Sequence, residues 1–455
     1  MSTRLHVRQL RALFAAGAVV LVAACTEVGP NYVRPSLPVS AAYKEASHQD
    51  AQPVPAVLAS GKWWMIYNDS TLDALVSQVR VNNQSLAAAA ARVLEAQALI
   101  QVASSASEPQ IVAGTIKSGR SNKNDFGIGA SWELDLWGRI RRDVEAHRAA
   151  AHASADDLAA ATLSMQAQLV QAYFALRQDD ALIGLMHRSV EADDQWQRMV
   201  GNQYTQGIAS SANVADASTK SSTMQLQLAD TKAARAQLEH AIAVMLGKQP
   251  AEFSIAPAPF DTNVPVIPAG VPASLLERRP DIAASERRMA AASARIGVSK
   301  AETLPSINLA AGIGVINGPT GTVDAHAPLF TGGRLQAQLA NANAGYTEAV
   351  ANYRQAVLVA FREVEDDLVS VSTLAGNAEL QAAAATAAKD SDRVTRNQYR
   401  EGVADYPAVV DAVNGALDAN RADMQLRLRR LDASVNLIMA LGGGWQSDTT
   451  GDVKR

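Results

Sequence analysis

Phe126–Arg142 reads FGIGASWELDLWGRIRR, and a related stretch, VDAHAPLFTGGRL, occupies Val323–Leu335. In the first, Phe126, Ile128, Ala130, Trp132 and Leu134 alternate with Gly127, Gly129, Ser131, Glu133 and Asp135. A period of two is the mark of a half-buried strand. At Gly138 the period changes. Ile140, Val144, His147, Ala151, Ser154 and Leu158 then recur at steps of four and three, the seam of a coiled-coil helix, continuing through Thr162, Met165, Leu169, Ala172 and Leu176. Between Arg139 and about Gln203 only Gly184 and Gly201 weaken helix. At about 1.5 Å per residue the element approaches roughly 100 Å, far longer than an ordinary globular helix.

The junction occurs twice because the chain is duplicated. Tyr204-Thr205-Gln206-Gly207-Ile208-Ala209 corresponds to Tyr399-Arg400-Glu401-Gly402-Val403-Ala404, 195 positions later. Asp216-Ala217 and Asp411-Ala412, Leu246-Gly247 and Leu441-Gly442, and Arg139 and Arg334 share that offset of 195. Pro109-Gln110-Ile111 and Pro305-Ser306-Ile307 are offset by 196. The repeating unit is helix, β-hairpin, long helix, turn, long helix. The first copy covers 70–247, with a β-hairpin at 110–135 and a helical hairpin at 139–246. A proline-rich connector covers 248–272. The second copy covers 273–442, with a β-hairpin at 305–329 and a helical hairpin at 334–441, and a tail follows at 443–455.

Upstream, residues 1–24 read as a secretory signal peptide: Arg4, Arg8 and Arg11, then an apolar run too short to span a bilayer as a helix. Leu21-Val22-Ala23-Ala24-Cys25 resembles a bacterial lipoprotein box, so Cys25, the sole cysteine, is expected to be acylated and to anchor the chain in outer-membrane lipid. Loss of three leader arginines takes the formal net charge from −4 to −7, which offers nothing to a nucleic-acid backbone. Residues 25–69 form a Pro-, Ala- and Ser-rich tether ending in Trp63-Trp64. No segment after the leader is long and apolar enough for a transmembrane helix, so any membrane crossing is expected to use strands.

Four strands cannot close a pore, and an open sheet edge in lipid leaves backbone groups unpaired at several kcal/mol each. Three chains supplying four strands each would make twelve, an even number within the known range for barrels. The fold class expected is therefore mostly α with a transmembrane β-barrel part. A trimeric twelve-stranded barrel would continue into a long α-helical coiled-coil barrel. On that reading Trp132, Leu134, Ile313 and Val315 meet lipid, while Trp132, Trp137 and Phe330 sit at the membrane interface. Glu133, Asp135, Asp324 and His326 face a wet lumen.

Enzymatic readings find little support. The seven histidines show no HExxH-type spacing, Gly312-Ile313-Gly314 lies in a strand, and Gly247-Lys248-Gln249-Pro250 has no P-loop context. No cofactor or metal is expected. The pairs Asp156-Asp157, Asp179-Asp180 and Asp366-Asp367 are expected on solvated helix faces.

From Cys25 to Trp445 the chain resembles the TolC-like outer membrane factors, in the lipoprotein branch that includes OprM and the NodT-type efflux proteins. The landmarks are Val28-Gly29-Pro30-Asn31-Tyr32, Arg34-Pro35, Trp63-Trp64, Trp132–Arg139, Arg279-Pro280-Asp281-Ile282, Pro328–Arg334, the two Tyr-x-x-Gly turns and Leu441–Trp445. The resemblance implies a homotrimer acting as the passive exit duct of a tripartite efflux system. Its partners would be a periplasmic adaptor and an inner-membrane pump. It also implies an equatorial domain built from tether, connector and tail. Adaptor docking is expected at the hairpin tips, Gly207, Ile208, Ala209 and Ser210 with Gly402, Val403, Ala404 and Asp405. The periplasmic gate would involve Asp411, its counterpart Asp216, and Pro407. The chain departs from the family pattern where a second acidic residue (here Ala408) and an arginine (here Ala404) often stand. Rival readings are the same duct serving protein secretion, or a lipid-anchored periplasmic coiled-coil scaffold without a pore.

Overall fold

The computed structural model describes residues 27–45, 61–117, 124–268, 270, 272, 275–314 and 318–446. Cys25 and the leader, part of the tether, both hairpin turns in part and the end of the tail lie outside the described residues. So does Val315.

After a 3-10 helix at Trp63–Tyr67, the order is α1 (Ser70–Asn82), α2 (Gln84–Ser105), β1 (Gln110–Lys117), β2 (Asn124–Leu134), α3 (Arg139–Thr205) and α4 (Ser211–Met245). Then follow α5 (Leu275–Arg278), α6 (Pro280–Ala301), β3 (Ser306–Gly314), β4 (Gly318–His326), α7 (Arg334–Arg400) and α8 (Tyr406–Ala440). The duplication extends to element lengths. α3 and α7 have 67 residues each, α4 and α8 have 35, and α2 and α6 have 22.

One sequence expectation is corrected here. α2 is long and apolar enough, by length and composition alone, to cross a membrane. The run Ala87–Ala91 supplies that apolarity without bulk, and Arg92 and Glu95 interrupt it.

Contacts divide the chain into two compact units. The first, Met1–Pro38, Ala88–Leu158 and Pro280–Leu358, contains a four-stranded antiparallel sheet ordered β1-β2-β3-β4. Its register aligns the apolar faces of all four strands. Ile111 pairs with Ala130 and Ala113 with Ile128; Ile128 pairs with Ile313 and Trp132 with Leu309; Leu309 pairs with Val323. Because pairing by one residue more or less would flip a strand, the shared apolar face fixes the alignment. Ile111, Phe126, Ile128, Ile313 and Val323 are all exposed on that face. β4 ends at His326, not at the expected Leu329, because Pro328 donates no backbone hydrogen bond to a ladder.

The segment from Val28 to Arg34 is an extended strap in this unit. The Val28 amide donates to the Trp137 carbonyl (3.1 Å). Gly29 lies against Gly297 of α6 so closely that a Cβ on either would overlap the other segment's backbone. Tyr32 donates to Glu286 (2.5 Å) and Arg34 to Tyr353 (3.2 Å). Arg142, almost fully buried, joins Asn31 (2.7 Å) to Glu145 (2.7 Å).

The second unit, Val39–Ala87, Ala159–Arg279 and Val359–Arg455, has an aromatic-aliphatic core around Trp63, Tyr67, Leu72, Leu169, Phe174 and Leu176. Tyr67 stacks edge-on against Phe174 at 5.0 Å and shares a 2.7 Å hydrogen bond with Ser434. Here the solvated-face expectation fails for Asp180. Its carboxylate is buried between Arg177 (3.1 Å) and Arg235 (2.7 Å). Those guanidiniums also donate to the connector carbonyls of Ala256 (2.7 Å) and Ile255 (2.6 Å). The connector carbonyls are satisfied by the two guanidiniums, and Asp180 supplies the counter-charge that those buried cations need. Burial likewise pushes Asp179 up to about 6 and Asp367 up to about 7.

Candidate functional site

The first unit carries the strand–helix junction. Gly138 takes φ +77°, a left-handed conformation that favours glycine, and its carbonyl accepts from Arg142 (2.8 Å) to open α3. Glu133, the penultimate residue of β2, receives two bonds from Arg139, Nε to Oε1 at 3.0 Å and Nη2 to Oε2 at 2.7 Å. Asp135 lies beyond the end of β2, which corrects its expected place among the strand residues. Its carboxylate accepts the backbone amides of Ile140 (3.1 Å) and Arg141 (3.0 Å), unsatisfied donors of the first helical turn. Glu133, Asn308 and Asp324 are cross-strand partners on one face, with His326 two residues further along β4. Trp132 and Trp137 direct their indole N–H groups to the carbonyls of Ser107 (2.8 Å) and Pro305 (2.7 Å). Phe330 is 92% exposed, past the end of β4.

The second unit carries the hairpin tips. In each repeat the long helix ends in the same glycine-based cap. Ile208 donates to Gln203 (2.8 Å) and Gly207 to Tyr204 (3.0 Å); Val403 donates to Gln398 (2.8 Å) and Gly402 to Tyr399 (3.0 Å). Gly207 and Gly402 have φ of +71° and +75°. The returning helices are capped at equivalent positions. Ser210 accepts from the Asn213 amide (3.2 Å), and Asp405 from the Ala408 amide (3.1 Å). Pro407 stands in the first turn of α8, where its missing N–H costs nothing. At the tips, Ile208 and Val403 are 70% and 75% exposed.

Behind the tips the structure brings Asp216 and Asp411 together around a residue that sequence reasoning missed. Lys220 Nζ lies 3.1 Å from Asp411 Oδ1 and 3.7 Å from Asp216 Oδ2. Its ammonium stands 4.8 Å from the centroid of the Trp196 ring. Trp196, Val200, Ala217 and Val410 form the apolar floor beneath. The spacing of Asp216 and Lys220, four residues on one helix, was the available signal. The bridge to Asp411 was not encoded locally.

The profile of the family described as outer membrane efflux protein matches residues 75–248 and 271–443. The chain is 30% identical over 425 residues to the pyoverdine export outer membrane protein OpmQ of Pseudomonas aeruginosa, covering 86% of this chain and 89% of OpmQ. It is 28% identical over 450 residues to the toluene efflux pump outer membrane protein TtgC of Pseudomonas putida, covering 92% and 93% of the two chains. The solved structure of the outer-membrane channel OprN superposes with a TM-score of 0.81 at 28% identity, covering 92% of this chain and 99% of that one.

Proposed function

The chain belongs to the outer membrane efflux protein family, and from that membership we propose that it is the exit duct of a tripartite efflux system. It would export small molecules across the outer membrane as a passive homotrimeric pore. The observation that carries this reading is the sheet of the first unit. One face is apolar and exposed, the other bears Glu133, Asn308, Asp324 and His326, and among the described residues β1 and β4 each have a neighbour on one side only. Such a sheet is suited to lipid only when its edges are paired, and three copies close twelve strands. Trp132 and Trp137 then anchor the interface, Cys25 carries the acyl anchor, and Glu133, Asp324 and His326 line the lumen.

In the second unit, the exposed apolar tips Ile208 and Val403 are the docking points for a periplasmic adaptor, through which an inner-membrane pump drives export. Asp216, Asp411 and Pro407 narrow the passage there. Small-molecule export is supported by the toluene and pyoverdine systems of the relatives.

The test is reconstitution of the detergent-extracted protein in planar bilayers, with its mass measured in parallel. Stepwise conductance from a trimer is expected. A monomer that opens no channel overturns the reading.

A further inference from the structure

We propose that Lys220 is a selectivity-determining residue of the duct, halving the negative charge where the two repeats present their aspartates and so weakening the preference for cations there. This rests on the duct reading above. Asp216 and Asp411 occupy equivalent positions, 195 residues apart, on α4 and α8. The position equivalent to Lys220 in the second repeat is Gly415. Two equivalent carboxylates therefore share one lysine, and the duplication is broken at the lysine position.

The geometry makes the sharing effective. The Asp216 and Asp411 side chains are 57% and 70% exposed, whereas Lys220 is 33% exposed, set back between them with its ammonium on the Trp196 face. The carboxylates meet water first, and the ammonium screens both from behind. Per chain the trio carries −1 instead of −2. In a threefold duct the difference is three charges at one level, and rings of charged side chains are what set ion preference in pores.

The experiment measures reversal potentials in planar bilayers under a KCl gradient for the wild type, Lys220→Met, Lys220→Arg and Asp411→Asn. Lys220→Met is expected to raise the potassium-to-chloride permeability ratio by about twofold or more, as expected when the fixed charge doubles. Lys220→Arg is expected to stay near wild type, and Asp411→Asn to move toward anions. A Lys220→Met ratio equal to that of the wild type overturns the proposal. If Lys220→Met fails to fold, an unchanged ratio in Asp411→Asn overturns it equally. A wild type that does not conduct sinks the duct reading instead. Amide hydrogen exchange in the first turns of α8 then judges the bridge itself: faster exchange in Lys220→Met supports it, and no change overturns it.

Discussion

Arg139, the first residue of α3, grips Glu133 of β2 with two parallel hydrogen bonds of 3.0 and 2.7 Å across the glycine where strand becomes helix. The fork geometry holds the helix axis to the strand at a place where Gly138 alone would permit many directions. The second repeat solves the problem otherwise. Arg334 donates to Gln338 within its own helix (3.0 Å), and the turn uses two left-handed glycines, Gly332 and Gly333.

A double-mutant cycle on Glu133→Gln and Arg139→Met is expected to give a coupling energy of about 1 kcal/mol. Both side chains are about one-third exposed, and solvent discounts the pair below a buried one. Thermal unfolding in detergent measures it. Additive losses would show that the fork contributes nothing as a pair.

Asp180 is a different case, because its partners are buried with it. Asp180→Ala leaves Arg177 and Arg235, with side chains 5% and 15% exposed, without their shared counter-ion. The expected loss is about 3–5 kcal/mol. Limited proteolysis is expected to cut first near Ile255–Ala258, the connector stretch these groups hold. A connector as resistant as in the wild type would remove the network from that role.

The Asp367 carboxyl is pushed up to about 7 by burial, aided by Glu363 and Asp366. Its folded pKa lies above the unfolded value of about 4. The stability it contributes is therefore fully present below about pH 4 and is lost as pH rises through about 7. Asp367→Asn is accordingly expected to raise Tm at pH 8 and to leave it nearly unchanged at pH 4. Equal shifts at both pH values would exclude titration as the cause.

Two glycines with similar backbone conformation are expected to respond unequally to alanine. Gly207 has φ +71° with open space around it, so Gly207→Ala is expected to cost about 1 kcal/mol from conformation alone. Gly442 has φ +90°, and a Cβ there would overlap the carbonyl oxygen of Arg278. Gly442→Ala therefore adds displacement of α5 to the same conformational cost, and a Tm loss clearly larger than that of Gly207→Ala is expected. Equal losses would mean that the close approach carries no weight.

Local periodicity was enough to read the strands, the long helices, the glycine at their junction and the duplication. The offset of 195 recurs in the bounds of α3 and α7 and of α4 and α8. The strands and helices depend on residues two to four positions apart, which the chain carries in plain order, and the duplication shows as the same motifs recurring 195 positions later. What only the tertiary structure decided were contacts between residues far apart in sequence. They include the pairing of Ile128 with Ile313, the seating of Gly29 on Gly297, the burial of Asp180 under the connector, and Lys220 reaching from Asp216 to Asp411. A helix pattern says that a charged side chain leaves its own face. It cannot say which cation from another helix, or which returning backbone, will meet it there.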